Sequence, residues 1–392
     1  MQKLYNKDTM SSERRIRAAI HLQEPDRVPV SPLIYYFAAY YAGMTNYDLF
    51  DPKKYNQAID RVFYELGPWD AYYFMQVYDP ELVAFLTPMK SKEPGFELPT
   101  ESIRQFVEEE VMEAEDYEWI IKVSERNPRL AYLRLYFRLI PRIHEHVDVG
   151  WRCRAFMLPR MIRYGMLMAR EFREWRKRGV TLLYAVGAEA PFDTFSLARG
   201  LMAFVRDTTR HPDEVAEAAD ALVDSYVFQF VMVCRLLGIR RGIIDVHRSS
   251  NDFISPDMFR RLSFPSLKKM VEKLAAVGID SILHLDGNWD LNLEILRELP
   301  AGRVVAQFDG RTDVFRAKKI IGDRICIYGD VPAEMLALAE PGEVDEYCHR
   351  LIEEVGKGGG FILGSGCEVA PNAKPENVKA MLQAAEKYGY YK

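Results

Sequence analysis

A chain of 392 residues, 48% hydrophobic and 28% charged, has the composition of a globular protein rather than a disordered or membrane-embedded one. Its net charge of -5 gives no reason to expect nucleic acid or an anionic membrane as a partner. No apolar run reaches the length of a membrane span, and the N-terminal stretch MQKLYNKDTMSSERR lacks a signal-peptide core, so a cytoplasmic protein is expected.

The first helix is predicted to start after Ser11 or Ser12, where SSERRIRAAIHL offers a cap, an early Glu and apolar positions at helical spacing; Pro25 and Asp26 close it. RVPVSPLI reads as the first strand, and the aromatic segment from Tyr35 to Met44, closed by Gly43, follows. A helix from Pro52 to about Leu66 leads to AYYFMQVY, Ala71 to Tyr78, the second strand. Between 79 and 179 lies a long excursion in which ESIRQFVEEEV is expected to form a hairpin, followed by helical, Arg-rich sequence. A connection this long is expected to cover the mouth of the fold or to meet a partner. From Val180 the pattern becomes regular: TLLYAVG, GIIDVH, SILHLDG, RVVAQFDG, ICIYGDV and GFILGSG alternate with helical segments. With the two earlier strands this makes eight, the count of a (β/α)8 TIM barrel, here with an N-terminal helical extension and a long insertion after the second strand. A single domain over 1–392 is expected, since such barrels reach this length without a second core.

In a barrel of this kind, polar residues at the C-terminal ends of strands form the active site, which singles out Asp245, His247, His284, Asp286, Asp309, Asp330 and Cys367. Residues two apart on a strand share a face, so His284 and Asp286 project together. With Cys367 they make a candidate three-ligand zinc site with an open fourth position, the arrangement that catalysis requires. The five cysteines, at 153, 234, 326, 348 and 367, form an odd and scattered set without a CxxC pair, which argues against a disulfide framework. The bland alternatives are a satisfied barrel histidine at 284, a buried structural thiol at 367 and an aromatic core rather than a pocket at 35–41 and 71–78.

RIRAAIHLQEPDRVPV, SPDMFRRLSFPSLKKMV and GGGFILGSGCEVAPNAKPENVKAMLQAAEKYGYY resemble the uroporphyrinogen decarboxylase superfamily, whose fold is a TIM barrel. The decarboxylase's own pattern is broken here. Its two arginines after the first strand are absent from SPLIYYFAAYYAG, and Gln76 in FMQ stands in the place of its essential aspartate. A polyanionic porphyrinogen needs guanidinium partners, and this segment supplies none. The corrinoid-dependent methyltransferase branch is the better match. On that resemblance His284 and Cys367 fall on two zinc-ligand positions of the HxCGN and GC(x)xxP segments, and Asp286 stands where the branch has a cysteine.

A carboxylate in place of a thiolate suits coordination of an oxygen and polarisation of a carbon–oxygen bond better than activation of a thiol. The superfamily that the chain resembles includes O-demethylases, so the activity the resemblance implies is that of a zinc-dependent O-demethylase, which takes a methyl group from a small methoxylated aromatic compound and passes it to the Co(I) corrinoid of a partner protein. In that scheme His247, Asp245 or Tyr35 supplies a proton or orients the ring, while Tyr36, Tyr73, Gln76 and Phe192 line the substrate. Alternatives are methyl transfer from a methylcorrinoid to a thiol of the coenzyme M type, a decarboxylase-like activity, and a non-catalytic member that binds a corrinoid protein. The assembly state stays open, a homodimer included.

Overall fold

The computed structural model describes residues 3–76, 78–144 and 151–392. Val77, in the expected second strand, and residues 145–150, in the excursion, lie outside the described residues. Among the described residues the strands are β1 (Ala71–Tyr72), β2 (Lys90–Lys92), β3 (Gln105–Val107), β4 (Thr181–Leu182), β5 (Val186–Glu189), β6 (Arg241–Val246), β7 (Asp280–Leu285), β8 (Val304–Phe308), β9 (Cys326–Val331) and β10 (Phe361–Ser365). The chain forms two compact units, one made of the residues up to Tyr78, Leu167–Tyr184 and Ile282–Lys392, the other of Asp79–Met166 and Ala185–Ser281. It passes from one to the other after Tyr78, inside the helix Trp151–Lys177, between β4 and β5, and inside β7.

The first unit opens with the helix Ser12–Ile20, capped as predicted by the Ser11 hydroxyl, which accepts the Arg14 amide. Its buried Arg15 joins Arg27 in a network with Asp8, Asp26 and Asp70: Arg15 Nε lies 2.7 Å from Asp26, Arg27 Nε 2.9 Å from Asp8, and Arg27 Nη1 2.7 Å from Asp70. Asp70 also accepts the Val30 amide at 2.9 Å, so the network anchors the expected first strand and the entry to β1 together. That first strand appears as isolated bridges, Val30 beside Leu363 and Leu33 beside Glu368, rather than as a continuous ladder. Pro29 and Pro32 have no N–H to give, so the pairing is interrupted at each. The bonds that remain, Ser31 N to Leu363 O at 2.9 Å and Asp70 N to Val30 O at 2.8 Å, place the segment between β10 and β1.

The second strand is shorter than the aromatic run suggests, because the ladder with β4 covers Ala71 and Tyr72 alone. Beyond it the Phe74 carbonyl accepts the Tyr184 hydroxyl instead of a strand N–H, and the Tyr73 ring meets Tyr184 edge-on at 5.2 Å. Strands β8, β9 and β10 run parallel, with Ala306 opposite Ile327 and Leu363 opposite Gly329. Every residue of β7 to β10 is buried, which is why these strands read as apolar runs rather than alternating ones.

The second unit pairs β5 with β6 in parallel, Ala188 opposite Ile244. Its hairpin joins β2 to β3 with Ser91 opposite Phe106. The expected hairpin within ESIRQFVEEEV is corrected accordingly: that segment supplies one strand, and its partner is the upstream KSK, since three consecutive glutamates, Glu108 to Glu110, leave nothing to fold back as a second strand. Helices Glu115–Arg126, Ala131–Ile143, Pro191–Arg199 and Leu201–Arg210 gather around the long helix Pro212–Leu237, where Tyr132 packs on Tyr226 at 4.7 Å and its amide donates to Ser225 Oγ at 3.0 Å. Among the described residues no helix is long and apolar enough to cross a membrane.

Candidate metal centre

His284 sits near the end of β7 and is 5% exposed. Two residues on, past the last strand residue, Asp286 turns back so that its Oδ1 lies 3.1 Å from His284 Nε2. The turn requires Gly287, whose φ of 82° lies in the left-handed region. Cys367 follows β10 in the same unit and brings its Sγ to 3.8 Å from the same His284 nitrogen. One ligand atom from each residue falls within 4.8 Å of the others. Nitrogen, oxygen and sulfur donors on one tetrahedral zinc stand about 3.3–3.6 Å apart, so these residues fit such an ion with little movement. A set of three protein donors also leaves a coordination position for substrate. Burial alone would lower the His284 pKa; the Asp286 carboxylate and Cys367 beside it overcome this and raise it well above its ordinary value.

The Cys367 segment is tied to the aromatic segment that follows the first strand. Glu368 Oε1 accepts the Tyr36 amide at 2.8 Å, Ser365 Oγ accepts the Leu33 amide at 3.1 Å, and Val369 N donates to Leu33 O at 2.9 Å. Tyr35 and Tyr36 are nevertheless largely enclosed, at 2% and 5% exposure, with ring centroids 4.4 Å apart. Tyr73 is buried against Tyr184, and Gln76 is buried with its amide donating to the Leu49 carbonyl.

The remaining predicted residues belong to the second unit. Phe192 is fully buried in the helix Pro191–Arg199, edge-on to Phe204 at 4.8 Å. Asp245 lies at the end of β6, partly exposed, and its carbonyl accepts the Ala190 amide. His247, just beyond β6, holds its Nδ1 2.9 Å from Glu189 Oε2, and Glu189 Oε1 accepts the Thr87 hydroxyl at 3.1 Å. Glu189 escapes a reading of the sequence that ends the strand at Gly187; the signal available was an acidic residue inside the apolar stretch AVGAEAPF. Asp193 was missed as well. It is fully buried, accepts from the Arg248 amide and, at 2.7 Å, from the Ser249 hydroxyl, and burial lifts its carboxyl pKa to about 6 against those two bonds.

The model of the family described as Uroporphyrinogen decarboxylase (URO-D) matches residues 168–388, more than half of the chain. The chain belongs to this family. Among curated members, it is 31% identical over 142 residues to the methylcobamide:CoM methyltransferase MtaA of Methanosarcina barkeri, 36% of this chain and 39% of that one. It is 23% identical over 180 residues to the uroporphyrinogen decarboxylase of Saccharophagus degradans, 44% of this chain and 48% of that one. The chain therefore matches less than half the length of these URO-D relatives. A solved structure, a methyltransferase from Methanosarcina mazei, superimposes with a TM-score of 0.67 at 16% identity, covering 97% of this chain and 99% of that one. The TIM-barrel fold expected from the strand count is thus the fold of this URO-D family chain.

Proposed function

We propose that this URO-D family protein is a corrinoid-dependent methyltransferase, and that it demethylates a methoxylated aromatic compound, passing the methyl group to the Co(I) corrinoid of a partner protein. The observation that carries the reading is the convergence of His284, Asp286 and Cys367 within 4.8 Å. Those three residues would hold a zinc ion, which when bound would polarise the methoxy oxygen. A donor set with one thiolate, one imidazole and one carboxylate is harder than one with two thiolates, and a harder centre favours an oxygen ligand. The similarity to methylcobamide:CoM methyltransferases from Methanosarcina supports the corrinoid as the other reactant.

In the transfer, the carbon–oxygen bond breaks as the cobalt–carbon bond forms, and the electron pair leaves on the phenolic oxygen. A phenol has a pKa of roughly 10, so the phenolate is a far better leaving group than an alkoxide. Protonation of that oxygen is assigned to His247, Asp245 or Tyr35, and contact with the aromatic ring to Tyr36, Tyr73, Gln76 and Phe192, on the sequence pattern alone.

A second reading, methyl transfer from a methylcorrinoid to a thiol, draws its support from the MtaA-type relatives. One assay separates the two. Purified protein is given methoxybenzoates and methoxyphenols with Co(I) cobalamin, and separately methylcobalamin with coenzyme M and other thiols. Methylcobalamin formation from the aromatics supports the O-demethylase reading; thiol methylation without it replaces that reading with the second.

A further inference from the structure

The two loops that carry His284, Asp286 and Cys367 have a third loop, Asp309 to Thr312 after β8, held against each of them. The Asp309 carboxylate accepts the Gly287 amide through Oδ2 at 2.7 Å and the Arg311 amide through Oδ1 at 2.9 Å. Thr312 grips the same turn twice, donating its hydroxyl to the Gly287 carbonyl at 3.2 Å and accepting the Trp289 amide at 3.0 Å. The Trp289 indole closes the turn by donating to the Asp286 carbonyl at 2.9 Å. On the other side Gly366, the residue before Cys367, lies directly on the Asp309 backbone. A Cβ at 366 would fall 2.6 Å from the carbonyl carbon and oxygen of Asp309.

We propose that Asp309, assisted by Thr312, is the positioning residue that sets the separation of Asp286 from Cys367 and so tunes the metal affinity of the centre. This rests on the metal-binding reading given above. Asp309 meets one ligand loop through its carboxylate and the other through its backbone, so displacing it changes the spacing between donors on the two. The carboxylate is needed because both of its oxygens face N–H donors. An asparagine would turn its NH2 toward one of these N–H groups, losing a bond and setting donor against donor. Gly366 is needed because backbone lies against backbone there, where no side-chain rotation can make room. Groups that orient a ligand in this way are typically worth about 10–100-fold in metal affinity.

The test is a titration of the metal-free full chain with zinc and with Co(II), the latter followed by its visible spectrum. Native protein is compared with Asp309→Asn, Gly366→Ala, Thr312→Val and Thr312→Ser, and thermal melts of each metal-free protein are recorded. The proposal expects metal binding about 10–100-fold weaker in Asp309→Asn and Gly366→Ala. It expects a smaller loss in Thr312→Val and native affinity in Thr312→Ser, and in each weakened variant a loss of affinity larger than its loss of metal-free stability. Should Asp309→Asn fail to fold, the Thr312 pair and Gly366→Ala carry the test. Native affinity in all variants would overturn the proposal, as would losses of affinity that merely track losses of metal-free stability. Native protein that binds no metal would instead remove the reading beneath it, and is told apart by the first titration.

Discussion

Asp286 decides the chemistry assigned to the centre, because it is the one donor that separates an oxygen-seeking site from a thiol-activating one. Asp286→Cys is therefore expected to keep metal and to lose transfer from methoxylated aromatics, by about 100-fold on the scale of perturbed metal sites, while thiol methylation appears or rises. Equal activity on the aromatics in that variant would show that the carboxylate does not set the substrate. His247 and Glu189 make a second residue-scale prediction. His247→Ala is expected to slow demethylation by about 10²-fold, the usual contribution of a general acid. Glu189→Ala removes the partner 2.9 Å from Nδ1 that orients the ring, so it should slow demethylation in the same direction as His247→Ala, by a smaller factor. Native rates in both variants would mean that His247 plays no proton-transfer part.

How much of this was legible varies with how local the determinant is. His284 and Asp286 share one strand end, and Cys367 ends another apolar run before a glycine-flanked turn, so each could be read from a handful of consecutive residues. The grip of Asp309 and Thr312 could not, since it acts on backbone amides brought close only by the fold.

At the scale of elements, the strand positions followed from apolar runs, while their lengths did not. Pro29 and Pro32 break the first into bridges, and aromatic residues after Tyr72 pack on Tyr184 rather than extend a ladder. The hairpin partner of β3 lay hidden in KSK, three exposed or half-exposed polar residues with no strand signature of their own. What holds the proline-broken segment is the charge network at Asp70, a fully buried carboxylate. Burial would raise its pKa, but Arg27 and Arg15 keep it lowered. Asp70→Asn leaves two buried guanidinium groups undercompensated and should destabilise the protein by about 3–5 kcal/mol in urea unfolding. A loss below about 1 kcal/mol would show that the remaining carboxylates, Asp8 and Asp26, suffice.

For the whole molecule, stability should peak at mildly acidic pH. Burial raises Asp193 to about 6 and Asp330 to about 7, so these groups cost stability at pH 8, and protonation relieves that cost as pH falls through 7 and 6. Asp26 works in the opposite sense. Burial opposes it, yet the bonds from Arg15 and from the Met10 and Thr9 amides bring its pKa from 3.8 down to about 2. Its contribution is complete above about pH 4 and is lost as pH drops toward 2. Urea midpoints measured from pH 8 to pH 3 should rise and then fall, and Asp26→Asn should flatten the acid limb; a monotonic decline from pH 8 would contradict the assignment of Asp193 and Asp330.

The central claim is that a metal held by His284, Asp286 and Cys367 serves methyl transfer from an aromatic ether. Its most direct test is zinc content measured together with demethylation of a methoxybenzoate by Co(I) cobalamin, in native protein and in His284→Ala. The account predicts about one zinc per native chain with methylcobalamin formed, and loss of both in the variant. Native protein that carries no zinc and transfers no methyl group, or a variant that keeps both, would contradict it.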